Sequence, residues 1–233
     1  MKATLKKIIP ESLLGYYHKL REWRRRSFIP QEDRVYFDTK SVYNGHFKVT
    51  YRSIPAIKCP FDYVIYQMIL SSLKPDLVIE IGTNHGGTTL YLADLMDKLD
   101  HGKIHSMDIE KRADPLVVNH PRISLFTEGW QGYKIEEAKP YQKILIIEDG
   151  SHTYEDTLGA LKKFAPLVNK SSYFIVEDSI VSDLGTEKGF NGGPLRAIKE
   201  FLKDNKEFEI DREYCDMFGK NATFNINGYL KRI

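Results

Sequence analysis

From residue 75 onward, short apolar runs alternate with segments whose apolar residues recur every three to four positions. The runs are Leu77–Ile81 (LVIEI), Lys103–Met107, Ile123–Phe126, Lys143–Ile147 (KILII) and Tyr173–Val176 (YFIV). Leu77–Ile81 reads as a buried strand and the others as the strands that follow it. Between them, Thr88–Leu99, Tyr154–Phe164 and the segment from Gly192-Gly193-Pro194 to Leu202 read as amphipathic helices. Phe208–Ile210 and Ala222–Leu230 read as closing strands, antiparallel to each other. Strand–helix alternation with short connections predicts an α/β fold built on a doubly wound, mostly parallel sheet.

Upstream, Leu13, Tyr16, Tyr17, Leu20 and Trp23 recur at helical spacing, predicting an amphipathic helix over 11–26. Charge changes the picture here. Residues 1–30 carry eight cations (Lys2, Lys6, Lys7, Lys19, Arg21, Arg24, Arg25 and Arg26) against Glu11 and Glu22. The whole 233-residue chain has 34 Lys+Arg and 32 Asp+Glu, a net charge of +2, so the remainder is mildly acidic. That balance argues against a general nucleic-acid binder. Two readings of the helix stand: it packs on its own domain or a sister subunit of a homo-oligomer, or it is a foothold on an anionic membrane face. The basic start Met1–Lys7 is like the head of a signal peptide, but Pro10 and Glu11 interrupt the apolar run that should follow. No window approaches the roughly 20 apolar residues of a membrane span. Cys59 and Cys215 form no CxxC pair, which excludes a disulfide framework and a cysteine-rich zinc site. A cytoplasmic protein is expected, with peripheral contact at the inner membrane face as the second reading of the helix. The expected organisation is an extension over 1–40 and one domain over 41–233.

Ligands of doubly wound sheets sit outside the carboxyl ends of the strands. Those ends are Glu80/Gly82, Asp108, Thr127-Glu128, Asp149 and Glu177-Asp178. The first turn runs Glu80-Ile81-Gly82-Thr83-Asn84-His85-Gly86-Gly87-Thr88. It is glycine-rich, which lets a ligand approach the backbone, yet lacks both GxGxxG and GxxxxGK[ST], so no pyrophosphate cradle is indicated. Asp108, ending the next strand, is placed to accept both hydroxyls of a ribose. An adenosine ligand without phosphates fits S-adenosylmethionine, with Glu80, Gly82, Thr83, Asn84, Gly86, Gly87, Thr88 and Asp108 as candidate contacts. Glu80 is expected to face the cationic end of that ligand. The alternative is a tight turn and an unrelated acid.

Asp149, Glu177 and Asp178 follow two strands that gather them at one rim if the strands are neighbours. Three such carboxylates need a compensating cation, and oxygen-only ligation selects Mg²⁺ or another hard divalent ion. The competing view is a helix cap at Asp149–Thr153 and a solvated loop at 177–178. His152 is the candidate general base, with Asp149 as the alternative. The following helix N-terminus is expected to keep its imidazole neutral. Ser179–Asn191, with Gly185 and Gly189, is a candidate lid.

The ordered set IleGluIleGlyThr-x₂-GlyGlyThr, then Asp-x-Ser-His with Asp149 and His152, then ValGluAsp ending at Asp178, resembles the cephalosporin hydroxylase / rhamnosyl O-methyltransferase family. Lys58-Cys59-Pro60-Phe61-Asp62, Tyr66-Gln67 and Lys74-Pro75-Asp76 match its usual lead-in, and the resemblance runs from about residue 42 to 205. It implies a Rossmann-like class I methyltransferase using S-adenosylmethionine and commonly Mg²⁺. It further implies that Gly82, Gly86 and Gly87 form the cofactor loop, that Asp108 is the ribose acid, and that Asp149, Glu177 and Asp178 hold the metal beside His152. Thr88 stands where the family more often has serine. Methyl transfer to a hydroxyl of a sugar or glycan-like acceptor is therefore expected. The rivals are an NAD-dependent sugar oxidoreductase or epimerase, against which the missing GxGxxG argues, and a non-catalytic membrane-associated scaffold, which the basic N-terminus would suit.

Overall fold

The computed structural model describes residues 11–233; Met1–Lys7, with its three expected cations, lies outside the described residues. Two compact units meet in sequence between Thr39 and Lys40. In the first, helix α1 (Glu11–Arg26) has the boundaries its periodicity predicts. Arg24, Arg25 and Arg26 fill its last turn, where cations suit the negative end of the helix dipole. A 3₁₀ turn, Gln31–Asp33, follows, and Arg26 Nη2 donates to the Val35 carbonyl at 2.9 Å. Leu13, Tyr16, Leu20 and Trp23 are all more than half exposed, so the stripe lies open along its length.

The second unit opens with helix α2 (Thr39–His46), the hairpin β1 (Thr50–Tyr51) and β2 (Ile54–Pro55), and helix α3 (Pro60–Leu73). Then come β3 (Leu77–Ile81), α4 (Gly87–Lys98), β4 (Lys103–Met107), α5 (Pro115–Val118), β5 (Ile123–Phe126) and α6 (Gly129–Gly132). They are followed by β6 (Ile144–Glu148), α7 (Tyr154–Phe164), β7 (Tyr173–Val176), α8 (Gly193–Asp204), β8 (Phe208–Ile210), α9 (Arg212–Asp216) and β9 (Tyr229–Arg232). Seven strands form one sheet in the order β5-β4-β3-β6-β7-β9-β8. All neighbours from β5 to β7 are parallel, and β9 runs antiparallel to both β7 and β8. The central strands β3, β6 and β7 read as nearly continuous apolar runs because both faces are covered. Leu77, Ile79 and Ile81 pack with Leu161, Phe164 and Ile198 of α7 and α8. Val78 packs with Ile65, Ile69 and Leu92 of α3 and α4 on the other side.

Two elements differ from expectation. Helix α3 was not foreseen, although Ile65, Tyr66, Ile69 and Leu70 make a buried stripe at helical spacing. Pro60 in its first turn and the left-handed Lys74 at its end (φ 47°) are ordinary start and stop devices. The expected strand Ala222–Leu230 is largely a loop, and pairing begins only at Tyr229. The alternating Phe224 and Ile226 that suggested a strand instead fill a small cluster with Cys59 and Ile180. Asn227 takes positive φ within that loop, which breaks the extended course of a strand.

Candidate functional site

Strand order reverses between β3 and β6, and the chain is tightest there. Gly82 N donates to the Met107 carbonyl and Asp149 N to the Ile81 carbonyl, each at 2.8 Å. A Cβ on Gly82, whose φ is +102°, would lie 1.9 Å from the Asp149 carbonyl oxygen. Only glycine lets the two strand ends come so close and then diverge into a crevice. A cavity of about 530 Å³ opens over this point, within the range of small-molecule sites.

One half of the cavity is lined by Gly82, Asn84, Asp108, Ile109 and Trp130. The Asp108 carboxylate is held from two sides: Asn84 N donates to Oδ2 at 2.8 Å and Glu110 N to Oδ1 at 2.9 Å. It is a rigid acceptor bordered by apolar walls, suited to a ribose and its base. Of the expected cofactor contacts, Gly82, Asn84 and Asp108 line the cavity; Glu80, Thr83, Gly86, Gly87 and Thr88 do not. Glu80 is buried beneath the turn, with Thr89 Oγ1 and Ser106 Oγ donating to its Oε2 at 2.5 and 2.6 Å. This corrects the expected role of Glu80 facing a cationic ligand end: the carboxylate ties α4 to β3 and β4. Burial pushes its pKa up to about 7, against the pull of the two hydroxyls. Thr83 pairs with Ser106 at 2.6 Å, and Thr88 lies 3.4 Å from the Tyr63 hydroxyl. The remaining glycines serve packing, since a Cβ on Gly86 would strike Val117 and one on Gly87 the Pro55 carbonyl.

The other half is bounded by Tyr43 and His46 of α2, by Phe47 just after it, and by Phe190 from the Ser179–Asn191 segment. That segment contains two 3₁₀ turns, Ser179–Ser182 and Glu187–Phe190. Sequence reasoning missed the wall from α2. Its only signal was three aromatic side chains within five residues, upstream of any strand.

Between the halves lie Asp149, His152 and Asp178, one donor atom of each within 4.8 Å of the others. His152 Nε2 is 3.3 Å from Asp178 Oδ2 and 4.0 Å from Asp149 Oδ1. Its Nδ1 is buried without a hydrogen-bond partner among the described residues. Burial disfavours the charged imidazole, but Asp178 and Asp149 outweigh it and hold the pKa above the ordinary value. The adjacent carboxylates are thus a stronger influence on this ring than the helix N-terminus expected to set its charge, and they make it a more basic proton acceptor. Asn84, His152 and Asp178 all take positive φ, at 49°, 58° and 53°, a concentration of unfavourable backbone at the cavity.

Glu177 takes a different direction from its neighbour Asp178. It is buried; Tyr66 Oη donates to its Oε1 at 2.5 Å, and the Lys58 ammonium donates to its Oε2. Lys58 Nζ also lies 3.4 Å from Asp149 Oδ2, so one ammonium bridges two of the three expected metal carboxylates. Burial pushes Asp149 up to about 6 and Glu177 to about 7, with Lys58 drawing both down. The donor chemistry at the rim is carboxylate oxygen with one imidazole, which fits a hard divalent cation. A second group, Asp94, Asp97 and His120, is already engaged, with Tyr51 Oη donating to Asp94 at 2.8 Å and Arg122 paired with Asp97.

Residues 43–233 match the family described as Rhamnosyl O-methyltransferase/CmcI. A rhamnosyl O-methyltransferase of Mycobacterium tuberculosis (strain ATCC 25618 / H37Rv) is 30% identical over 234 residues, covering 94% of each chain. Its counterpart in Mycobacterium leprae (strain TN) is 31% identical, covering 89% of this chain and 98% of its own. Among solved structures, one of CmcI with Mg and SAM superposes with a TM-score of 0.60 at 20% identity, covering 90% of this chain and 84% of that one. An apo structure of CmcI gives 0.64 at 19%, covering 90% and 83%. At that identity the superposition establishes a shared fold.

Proposed function

Because this chain belongs to the Rhamnosyl O-methyltransferase/CmcI family, we propose that it moves the methyl group of S-adenosylmethionine to a hydroxyl oxygen of a sugar, of the rhamnosyl class. The observation that carries this reading is one cavity with a ribose acceptor, Asp108, in one half and a carboxylate–imidazole group at its centre. The aromatic wall of Tyr43, Phe47 and Phe190 suits the apolar face of a deoxy-sugar in the other half. NAD-dependent chemistry has no phosphate loop to support it.

Asp149 and Asp178 are the proposed metal-holding residues, with Glu177 as the third carboxylate at that rim. Were a hard divalent cation held by these residues, it would supply Lewis-acid polarisation of the acceptor hydroxyl. His152 accepts the hydroxyl proton at Nε2, and Asp178, 3.3 Å away, holds the ring for it. Asp149 is the alternative acceptor only where it is not fully engaged by metal. The oxygen–carbon bond forms as the sulfur–methyl bond breaks, and S-adenosylhomocysteine leaves. The walls of the two halves would have to hold acceptor oxygen, methyl carbon and sulfur in line, the positional part of the rate gain.

The exposed stripe of α1 beside Arg21, Arg24, Arg25 and Arg26 supports docking of the first unit on an anionic lipid surface, where a lipid-linked glycan acceptor would be presented. No helix among the described residues is long and apolar enough to cross a membrane.

The test is calorimetric titration of S-adenosylhomocysteine into the folded, metal-stripped protein. Micromolar binding, followed by transfer of labelled methyl to a rhamnosyl acceptor only when Mg²⁺ is restored, is expected. A folded protein that binds no S-adenosylhomocysteine would end the methyltransferase reading.

A further inference from the structure

Lys58 belongs to the loop between β2 and α3, and its side chain is 1% exposed. A lysine so deep is held by what it touches. It touches the carboxylates of Asp149 and Glu177, which leave the ends of two neighbouring parallel strands, β6 and β7. An ammonium bonded to both stands at the point from which a single cation serves both. Each oxygen of Glu177 is engaged, one by Lys58 and one by Tyr66, so a further cation drawn to that carboxylate would meet the Lys58 ammonium there. The Tyr66 hydroxyl is fixed in turn by Asn225 Nδ2 at 3.2 Å, which leaves the lysine contact as the exchangeable one. Lysine is suited to exchange, being a compact point charge on a flexible stem. A resting place is at hand, since Nζ already lies 5.2 Å from the centre of the Tyr66 ring.

We propose that Lys58 is a built-in counter-cation that competes with the catalytic divalent ion for Glu177 and Asp149, giving up Glu177 when the ion is bound. The inference rests on the metal reading above and deepens it. Lys58 then has two effects. It compensates one of the pair's two negative charges and holds both carboxylates in place without metal, so that the cofactor half of the cavity is formed in either state. It also weakens apparent metal affinity, because binding the ion requires breaking an ion pair. A lysine that merely positioned the carboxylates would have the opposite effect on affinity, so the sign of the change separates the two roles.

The experiment is binding of Mn²⁺, followed by the electron paramagnetic resonance of free ion, to metal-stripped wild-type protein and to Lys58→Met. Wild-type binding is measured first; its absence would overturn the metal reading and this inference together. Given wild-type binding, Lys58→Met is expected to bind Mn²⁺ at least about tenfold more tightly, the direction set by removing a competing positive charge. Unchanged or weaker binding by a folded variant would overturn the competition and leave the metal reading intact. Should the variant fail to fold, the wild type gives the answer by nitrogen-15 spectroscopy of lysine side chains. The shielded Lys58 ammonium signal is expected to move on saturation with diamagnetic Mg²⁺, and a signal that stays in place would overturn the exchange.

Discussion

At the scale of single residues, the site divides labour between carboxylates that share one rim. Asp108 is fixed by backbone amides and Asp178 by His152, while Asp149 contacts both Lys58 and His152. Asp149→Ala and Asp178→Ala are each expected to lower kcat by about a thousandfold or more while leaving the S-adenosylhomocysteine Kd nearly unchanged. Asp108→Ala should do the reverse, weakening that Kd by about tenfold or more in the same calorimeter. Glu80 makes a stability prediction. Its pKa in the folded chain, about 7, is raised from 4.5, so the folded state binds the proton more tightly than the unfolded one. Its stabilising contribution is full below pH 4.5 and is lost as pH rises through 7. Glu80→Gln has no such loss; between pH 4.5 and 8 its stability in urea should gain on wild type by on the order of 3 kcal/mol. A constant difference across that range would remove Glu80 as the cause. The candidate acids were visible in the sequence because strand ends can be read from apolar runs. Whether an acid points into a crevice or under a turn was not visible. Glu80 and Asp108 end consecutive strands alike, and only the hydroxyls of Thr89 and Ser106 show that the first is internal.

At the scale of elements, the β3–β6 junction decides whether the crevice exists. Gly82→Ala puts a methyl group 1.9 Å from the Asp149 carbonyl and forces an alanine to φ +102°. Strain and overpacking together should cost about 2–6 kcal/mol, with loss of S-adenosylhomocysteine binding in whatever fraction folds. Thermal melts with and without the ligand would show both effects, and a fully stable, binding-competent variant would refute the packing argument. The strands β3 and β7 coincide with their apolar runs because every position in them is buried, so apolar residues run to both ends. The C-terminal loop was misread for a physical reason as well: alternation reports a half-buried chain, whatever it is buried against. Phe224 and Ile226 alternate toward the Cys59 cluster, outside the sheet. The aromatic wall of α2 carried no readable role because its meaning depends on the strands that face it.

At the scale of the whole molecule, the two units carry different surfaces, an open basic and aromatic helix in one and the candidate-site cavity in the other. The 233-residue protein is expected to sediment with vesicles containing phosphatidylserine at low salt and to be released by high salt. The double change L20E with W23E should abolish sedimentation while sparing S-adenosylhomocysteine binding; sedimentation that survives it would exclude α1 as the foothold. The sheet order has a further consequence for synthesis. Residues 229–232 supply the strand that lies between β7 and β8, and these pair with each other only through it. While the chain is still leaving the ribosome, β7 presents a bare edge and β8 has no neighbour, even though every residue of the cavity has already been made. The nascent protein therefore passes through a stage in which its chemistry is complete and its sheet is open, the stage at which a chaperone would be of most use to it.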